Sequence, residues 1–117
     1  MLLQIDSRRI EPDILVVSFT GKITVGRESQ RIETMVQDLL RRNEKKLIFD
    51  LMGVDYIDSA GLGMLTFSAS TVREAGGAIG LVCGAGKVDQ LIKITRLNSI
   101  LPFFSTVEAA CQSLTPS

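Results

Sequence analysis

The stretch Leu47-Ile48-Phe49-Asp50-Leu51, continued by Met52-Gly53-Val54-Asp55-Tyr56-Ile57 and then by Asp58-Ser59-Ala60-Gly61-Leu62-Gly63, decides the fold class. Four of its first five residues are apolar, a short run of the kind that lies buried inside a sheet. Met52 to Ile57 carry the chain onward, and Asp58 and Ser59 are both good N-caps for a helix over Ser59 to Glu74. Gly76-Gly77 ends that helix by supplying residues that tolerate positive φ. A buried strand that passes into a capped helix is half of a crossover unit, so the flanking sequence should repeat it.

It does so in both directions. Downstream, Ala78-Ile79-Gly80-Leu81-Val82-Cys83 reads as a strand, and Val88, Leu91, Ile92 and Thr95 fall on one face of a following helix. Pro102-Phe103-Phe104 reads as a last short strand, and Ser105-Thr106-Val107-Glu108 matches a capping box that opens a helix to Leu114. Upstream, Ile32, Met35, Val36, Leu39 and Leu40 recur at helical spacing between Glu28 and Arg42, which predicts an amphipathic helix with one core stripe. Before it, Ile14 to Phe19 is apolar at nearly every position and suits a central strand that Gly21 ends or bends. Leu2 to Ile10, with Leu3 and Ile5 on one face, reads as a half-exposed edge strand joined through the turn Glu11-Pro12-Asp13. The expected fold is α/β: a mixed, mostly parallel sheet with an N-terminal antiparallel hairpin and four helices. A single domain over residues 1–117 is expected, with 113–117 as a frayed tail.

Composition narrows the function. The 117 residues are 45% hydrophobic and 22% charged, enough for one core and too few for two comfortable domains. Thirteen basic and thirteen acidic side chains cancel, so the chain lacks the basic field that drives binding to nucleic acid or anionic lipid. No apolar run spans a bilayer, and the first six residues lack the basic and apolar regions of a secretory signal, which together predict a cytoplasmic protein. Cys83 and Cys111 fit that compartment as reduced, buried thiols. The chain has no histidine, so it cannot assemble a Ser-His-Asp triad or a His-Cys zinc site.

Asp58 to Gly63 lies where a helix N-terminus exposes unpaired N–H groups and a partial positive charge. The Ser59 hydroxyl there has two readings, as a cap of the helix or as a modifiable group at the carboxyl edge of the sheet. A phosphate at that point would meet favourable N–H groups and change the surface without unfolding the helix. The helix itself carries two apolar stripes. Leu62, Leu65, Ala69 and Val72 point one way, while Ala60, Met64, Phe67 and Thr71 point almost oppositely. Either another element covers the second stripe, or Met64 and Phe67 form an exposed contact patch beside Ser59.

Tyr56-Ile57-Asp58-Ser59-Ala60-Gly61-Leu62-Gly63-Met64-Leu65, with Ala75-Gly76-Gly77 and Ile92-Lys93-Ile94-Thr95-Arg96-Leu97 after it, resembles the STAS domain, specifically the bacterial anti-sigma factor antagonists. The resemblance covers nearly the whole chain. It implies a switch protein that is not an enzyme and needs no cofactor or metal. Such a protein binds an anti-sigma factor when unphosphorylated and so releases the sigma factor. The anti-sigma factor, a serine kinase using ATP, then phosphorylates the serine and ends the association, and a metal-dependent serine phosphatase reverses the step. By motif position the phosphoacceptor is Ser59, with Asp58 shaping the helix start. The expected partner surface comprises Thr24, Asp58, Ser59, Ala60 and Gly61 with Met64 and Phe67; a homodimer is also open. One departure stands out: the family often carries Gly-x-x-Asp at the end of the second strand, where this chain reads Gly21-Lys22-Ile23-Thr24.

Weaker signals resolve to structure. Cys83-Gly84-Ala85-Gly86-Lys87 completes no phosphate-loop pattern and reads as a turn. Asp50, Asp55 and Asp58 straddle a strand and a loop, where capping or solvated roles are expected before a magnesium site. A Ser59 nucleophile would need a base that no motif supplies. The competing function is a non-switching STAS subunit of a sensory scaffold or a lipid-transport complex, which Thr24 makes more attractive.

Overall fold

A computed structural model describes residues 3–24, 27–84, 86–99 and 101–115. The elements are β1 (Gln4–Ile10), β2 (Ile14–Ile23), α1 (Arg27–Arg41), β3 (Lys46–Ile57), α2 (Ser59–Glu74), β4 (Ala78–Val82), α3 (Lys87–Ile94), a 3-10 turn (Leu97–Ser99), β5 (Phe103–Phe104) and α4 (Val107–Leu114). The strands form one sheet in the order β1-β2-β3-β4-β5. β1 runs antiparallel to β2, and every later neighbour is parallel. This is the mixed α/β architecture expected from the alternation of elements.

Alternation along each strand divides the core in two. Leu15, Val17 and Phe19 of β2, Leu47 and Phe49 of β3 and Leu81 of β4 face a layer built from α1, α2 and α3. Ile14, Val16, Ile48 and Val82 face the other way, against Ala110 of α4. Phe19 and Phe49 meet edge to face, with ring centroids 5.1 Å apart, at the centre of the larger core. Arg9 of β1 forms a two-pronged ion pair with Glu44 after α1, and this hydrogen bonding draws the Glu44 carboxyl below its usual range. Arg31 of α1 donates to the Leu3 carbonyl at 2.9 Å, a second tie between α1 and the start of the hairpin.

Several boundaries differ from expectation for physical reasons. β2 bends rather than ends at Gly21, where φ is 114° and the pairing with β3 shifts register. Met52 to Ile57, expected as a connection, belongs to β3 and stays paired with β2. The last helix is capped one residue later than expected. Thr106, not Ser105, is extended and accepts from the Ala109 N–H at 3.1 Å, so Glu108 is not part of a capping box. That helix runs through Leu114, with Ser113 bonded to the Ala110 carbonyl, so the tail expected from 113 is helical there, and 116–117 lie outside the described residues. Leu2 lies outside them as well. Cys83 is buried but Cys111 only partly so. Among the described residues no helix is long and apolar enough to cross a membrane.

Candidate functional site

The site is built where β2 and β3 run out together and α2 begins. The Asp58 N–H donates to the Ile23 carbonyl at 3.3 Å, which fastens the β3–α2 junction to the end of β2. Asp58 is extended (φ −100°, ψ −178°), and its Oδ1 accepts from the Gly61 N–H at 2.8 Å. Its own carbonyl accepts from the Leu62 N–H at 3.0 Å, the first bond of the helix. Asp58 is therefore the N-cap, and its charge sits at the positive end of α2. Ser59 follows as the first helical residue, with its side chain exposed. Of the two readings of Ser59, the capping role falls to Asp58.

Gly61 explains why the junction is so tightly drawn. A Cβ there would lie 2.6 Å from Ile57 Cγ1 and 2.7 Å from the Ile23 carbonyl oxygen. Only glycine lets the first turn of α2 lie directly on the ends of both strands. Thr24, the next residue of the β2 end, is partly buried, and Ala60 is partly buried beside Ser59. Thr24, Asp58, Ser59, Ala60 and Gly61 thus lie at the carboxyl edge of the sheet, where β2 and β3 end and α2 begins.

The second stripe of α2 is split. Met64, expected with Phe67 on an exposed patch, is buried at 8% exposure and accepts a 3.6 Å contact from the Ser68 hydroxyl. The helix packs on the sheet and beside α1, and its buried arc takes in Gly61, Leu62, Met64, Leu65, Ser68, Ala69 and Val72. Phe67 falls outside that arc and remains 42% exposed.

Sequence reading missed one cluster beside the loop. Lys22 of β2 stands opposite Tyr56 of β3. Its Nζ lies 5.4 Å from the Tyr56 ring centroid and 3.7 Å from Asp55 Oδ1. The ion pair is solvent-exposed and worth little by itself, but the stacked cation holds Tyr56 outward next to the α2 junction. No signal in the linear sequence brings residues 22 and 56 together; only the strand register does.

The three aspartates considered for a metal have other work. Asp50 accepts from the Met52 N–H at 3.0 Å, Asp55 faces Lys22, and Asp58 caps α2. Among the described residues no group of three acidic, Cys or His side chains is placed to hold an ion. Near them, Leu51, Val54, Val88 and Cys83 line a cleft of about 390 Å³ under the exposed Met52. Burial there pushes the Cys83 thiol up to about 11, so it is protonated and unreactive at neutral pH.

The geometry is that of a small α/β domain that displays one serine hydroxyl at a strand-to-helix junction. The STAS domain model matches residues 7–110, and the chain belongs to that family. A Thermotoga neapolitana protein provisionally named as an anti-sigma factor antagonist is 22% identical over 106 residues, covering 91% of this chain and 94% of its own. A Bordetella bronchiseptica protein of the same provisional name is 24% identical over 98 residues, covering 84% of each chain. The crystal structure of an anti-sigma factor antagonist from Mycobacterium paratuberculosis superposes with a TM-score of 0.82 at 18% identity, covering 97% of this chain and 94% of that one. The anti-sigma factor antagonist SpoIIAA, solved in its unphosphorylated form, gives 0.69 at 11% identity, covering 94% and 96%. At these identities the solved structures share the fold.

Proposed function

We propose that this protein is a cytoplasmic anti-sigma factor antagonist that acts by binding rather than by catalysis and is switched by phosphorylation of Ser59. In the unphosphorylated form it holds an anti-sigma factor serine kinase and frees the sigma factor. ATP-dependent transfer to Ser59 ends the association, and a serine phosphatase restores it. The observation that carries this reading is the exposed Ser59 at the first position of a helix whose cap is already supplied by Asp58. Because Ser59 caps nothing, its hydroxyl is dispensable to the fold. A dianion there meets the positive end of α2 and costs the domain little, while it alters the charge that a partner must desolvate. The SpoIIAA fold has been solved in a phosphorylated form as well, with a TM-score of 0.70 to this chain, which supports a scaffold that keeps its shape through the change.

The test is to incubate the protein with candidate anti-sigma kinases and ATP and to map added phosphate by mass spectrometry. Modification is expected at Ser59 alone. Ser59→Ala should keep kinase binding, and Ser59→Asp should weaken it by about tenfold or more. Equal affinities for the two variants would remove the switch.

One observation favours the second reading, a non-switching STAS subunit that docks on a larger assembly. The β2 end beside Ser59 carries Thr24 where antagonists often carry an acid, and Lys22 changes the local charge further. Stable binding to a partner with no phosphorylation by any cognate kinase would establish that reading instead.

A further inference from the structure

The two edges of the sheet are unlike. β5 contributes only Phe103 and Phe104, so that edge is short. β1 offers seven residues, Gln4 to Ile10, and among the described residues one long side of it is unpaired. Such an edge invites another strand, and charges along it ordinarily discourage one. Here Asp6 and Arg8, two positions apart on one face, make the edge complementary to a second copy of itself.

We propose that β1 is the interface between two copies of this chain, paired antiparallel about a two-fold axis through Ser7. A two-fold perpendicular to the sheet keeps each face on its own side, so a residue can only stand opposite one that points to the same face. Asp6 and Arg8 both point to the face that carries α4, since they stand opposite Ser18 and Val16 of β2. Centred on Ser7, the pairing sets Asp6 of each copy against Arg8 of the other, two equivalent ion pairs from one strand. Centring it on Asp6 or on Arg8 instead brings identical charges face to face, which is unfavourable. Of these three registers, only the one centred on Ser7 sets opposite charges against each other at both positions. Asp6 and Arg8 are exposed, and among the described residues neither takes part in an ion pair within the chain. Arg9, the other cation of the strand, is already held by Glu44.

The opposite face agrees. An open groove of about 700 Å³ runs beside β1, lined by Ile5 and by Arg31, Met35 and Asp38 of α1. The same two-fold keeps both α1 helices on one face, so the two grooves lie on the same side of the joined sheet, flanking the new strand pair. The two sheets become one continuous sheet, and the Ser59 junctions lie at the far ends of β2 and β3 from the hairpin turns, outside the contact. This inference is independent of the switch.

The test uses charge exchange. Wild-type protein is followed by sedimentation equilibrium from about 10 μM to about 1 mM, the range in which interfaces at the small end associate. A reversible dimer is expected. Asp6→Arg sets two guanidinium groups against each other in each of the paired positions, and Arg8→Asp sets two carboxylates there, so each variant alone should associate at least about tenfold more weakly. Mixed in equal amounts, the two variants bring all the new cations opposite the new anions and should form a heterodimer at wild-type strength. Circular dichroism should show unchanged folding, since both positions are exposed. A monomeric wild type at all concentrations, single variants that dimerise normally, or a mixture that stays monomeric would each overturn the proposal. The first of these would leave the edge to a foreign strand or to none.

Discussion

The two halves of β3 are one continuous strand in opposite circumstances. Lys46 to Asp50 is clasped between β2 and β4, and Leu47, Ile48 and Phe49 are fully buried. Leu51 to Ile57 has lost β4 and pairs with β2 alone. In that second half the pairing slips twice, and each slip gives β3 one residue more than β2. Two bulges in so short a span turn the usual alternation into a spacing of three: Leu51, Val54 and Ile57 are buried while Met52, Gly53, Asp55 and Tyr56 face out. The first half holds the domain together. The second spends regularity to aim residues at solvent beside Ser59, and its final residue then anchors Gly61. Rigid sheet and displayed site are thus consecutive parts of one strand.

Matched truncations would break that contrast if it is wrong. Phe49→Ala empties a fully buried site against Phe19 and should cost about 3–5 kcal/mol in urea unfolding, much of a small domain's total stability. Tyr56→Ala removes a ring of similar size that is 48% exposed and contacts Lys22, and should cost about 1 kcal/mol or less. Similar losses for both would mean that the second half of β3 carries the fold as much as the first.

A finer test sits at the junction itself, where two glycines in one helix turn should respond with opposite sign. Gly61→Ala forces a methyl against Ile57 and the Ile23 carbonyl oxygen, and a backbone atom cannot rotate away. The expected cost is about 1–3 kcal/mol, enough to overcome the gain in helix propensity. Gly63→Ala meets nothing within 4 Å and should stabilise by about 0.5–1 kcal/mol. Paired melting curves report both.

The same contrast explains what the sequence could tell. Leu47 to Phe49 is legible because burial on both faces leaves consecutive apolar residues, and Ile32 to Leu40 because one face of a helix meets one core. Asp58 and Ser59 mark the helix start from composition alone. Met52 to Ile57 is not legible as strand, because the two bulges erase the period of two that identifies one. The shift of the last cap from Ser105 to Thr106 escapes for a similar reason, since both hydroxyls are eligible and only the backbone at Thr106 chooses. Met64 escapes because its burial depends on how α2 packs against the rest of the fold, which no local pattern encodes. Lys22 finds Tyr56 only through strand register.

A small effect on stability is expected at Phe67, on the exposed flank of α2. Phe67 is three residues from buried Met64 on the same helix and lies just outside the buried arc. Phe67→Asp should change stability by under about 1 kcal/mol, the propensity cost of Asp in a helix with little lost packing. Met64→Asp should unfold the domain, because it buries a carboxylate with no partner. If Phe67 belongs to the docking surface beside Ser59, Phe67→Asp also weakens the kinase complex by about tenfold or more at an unchanged melting temperature. A melting temperature that collapses with Phe67→Asp would place the ring in the core. Unchanged binding with unchanged stability would confine the partner to the end of α2, to Ser59 and the Lys22, Asp55 and Tyr56 cluster, and move the interface from the flank of the helix to its mouth.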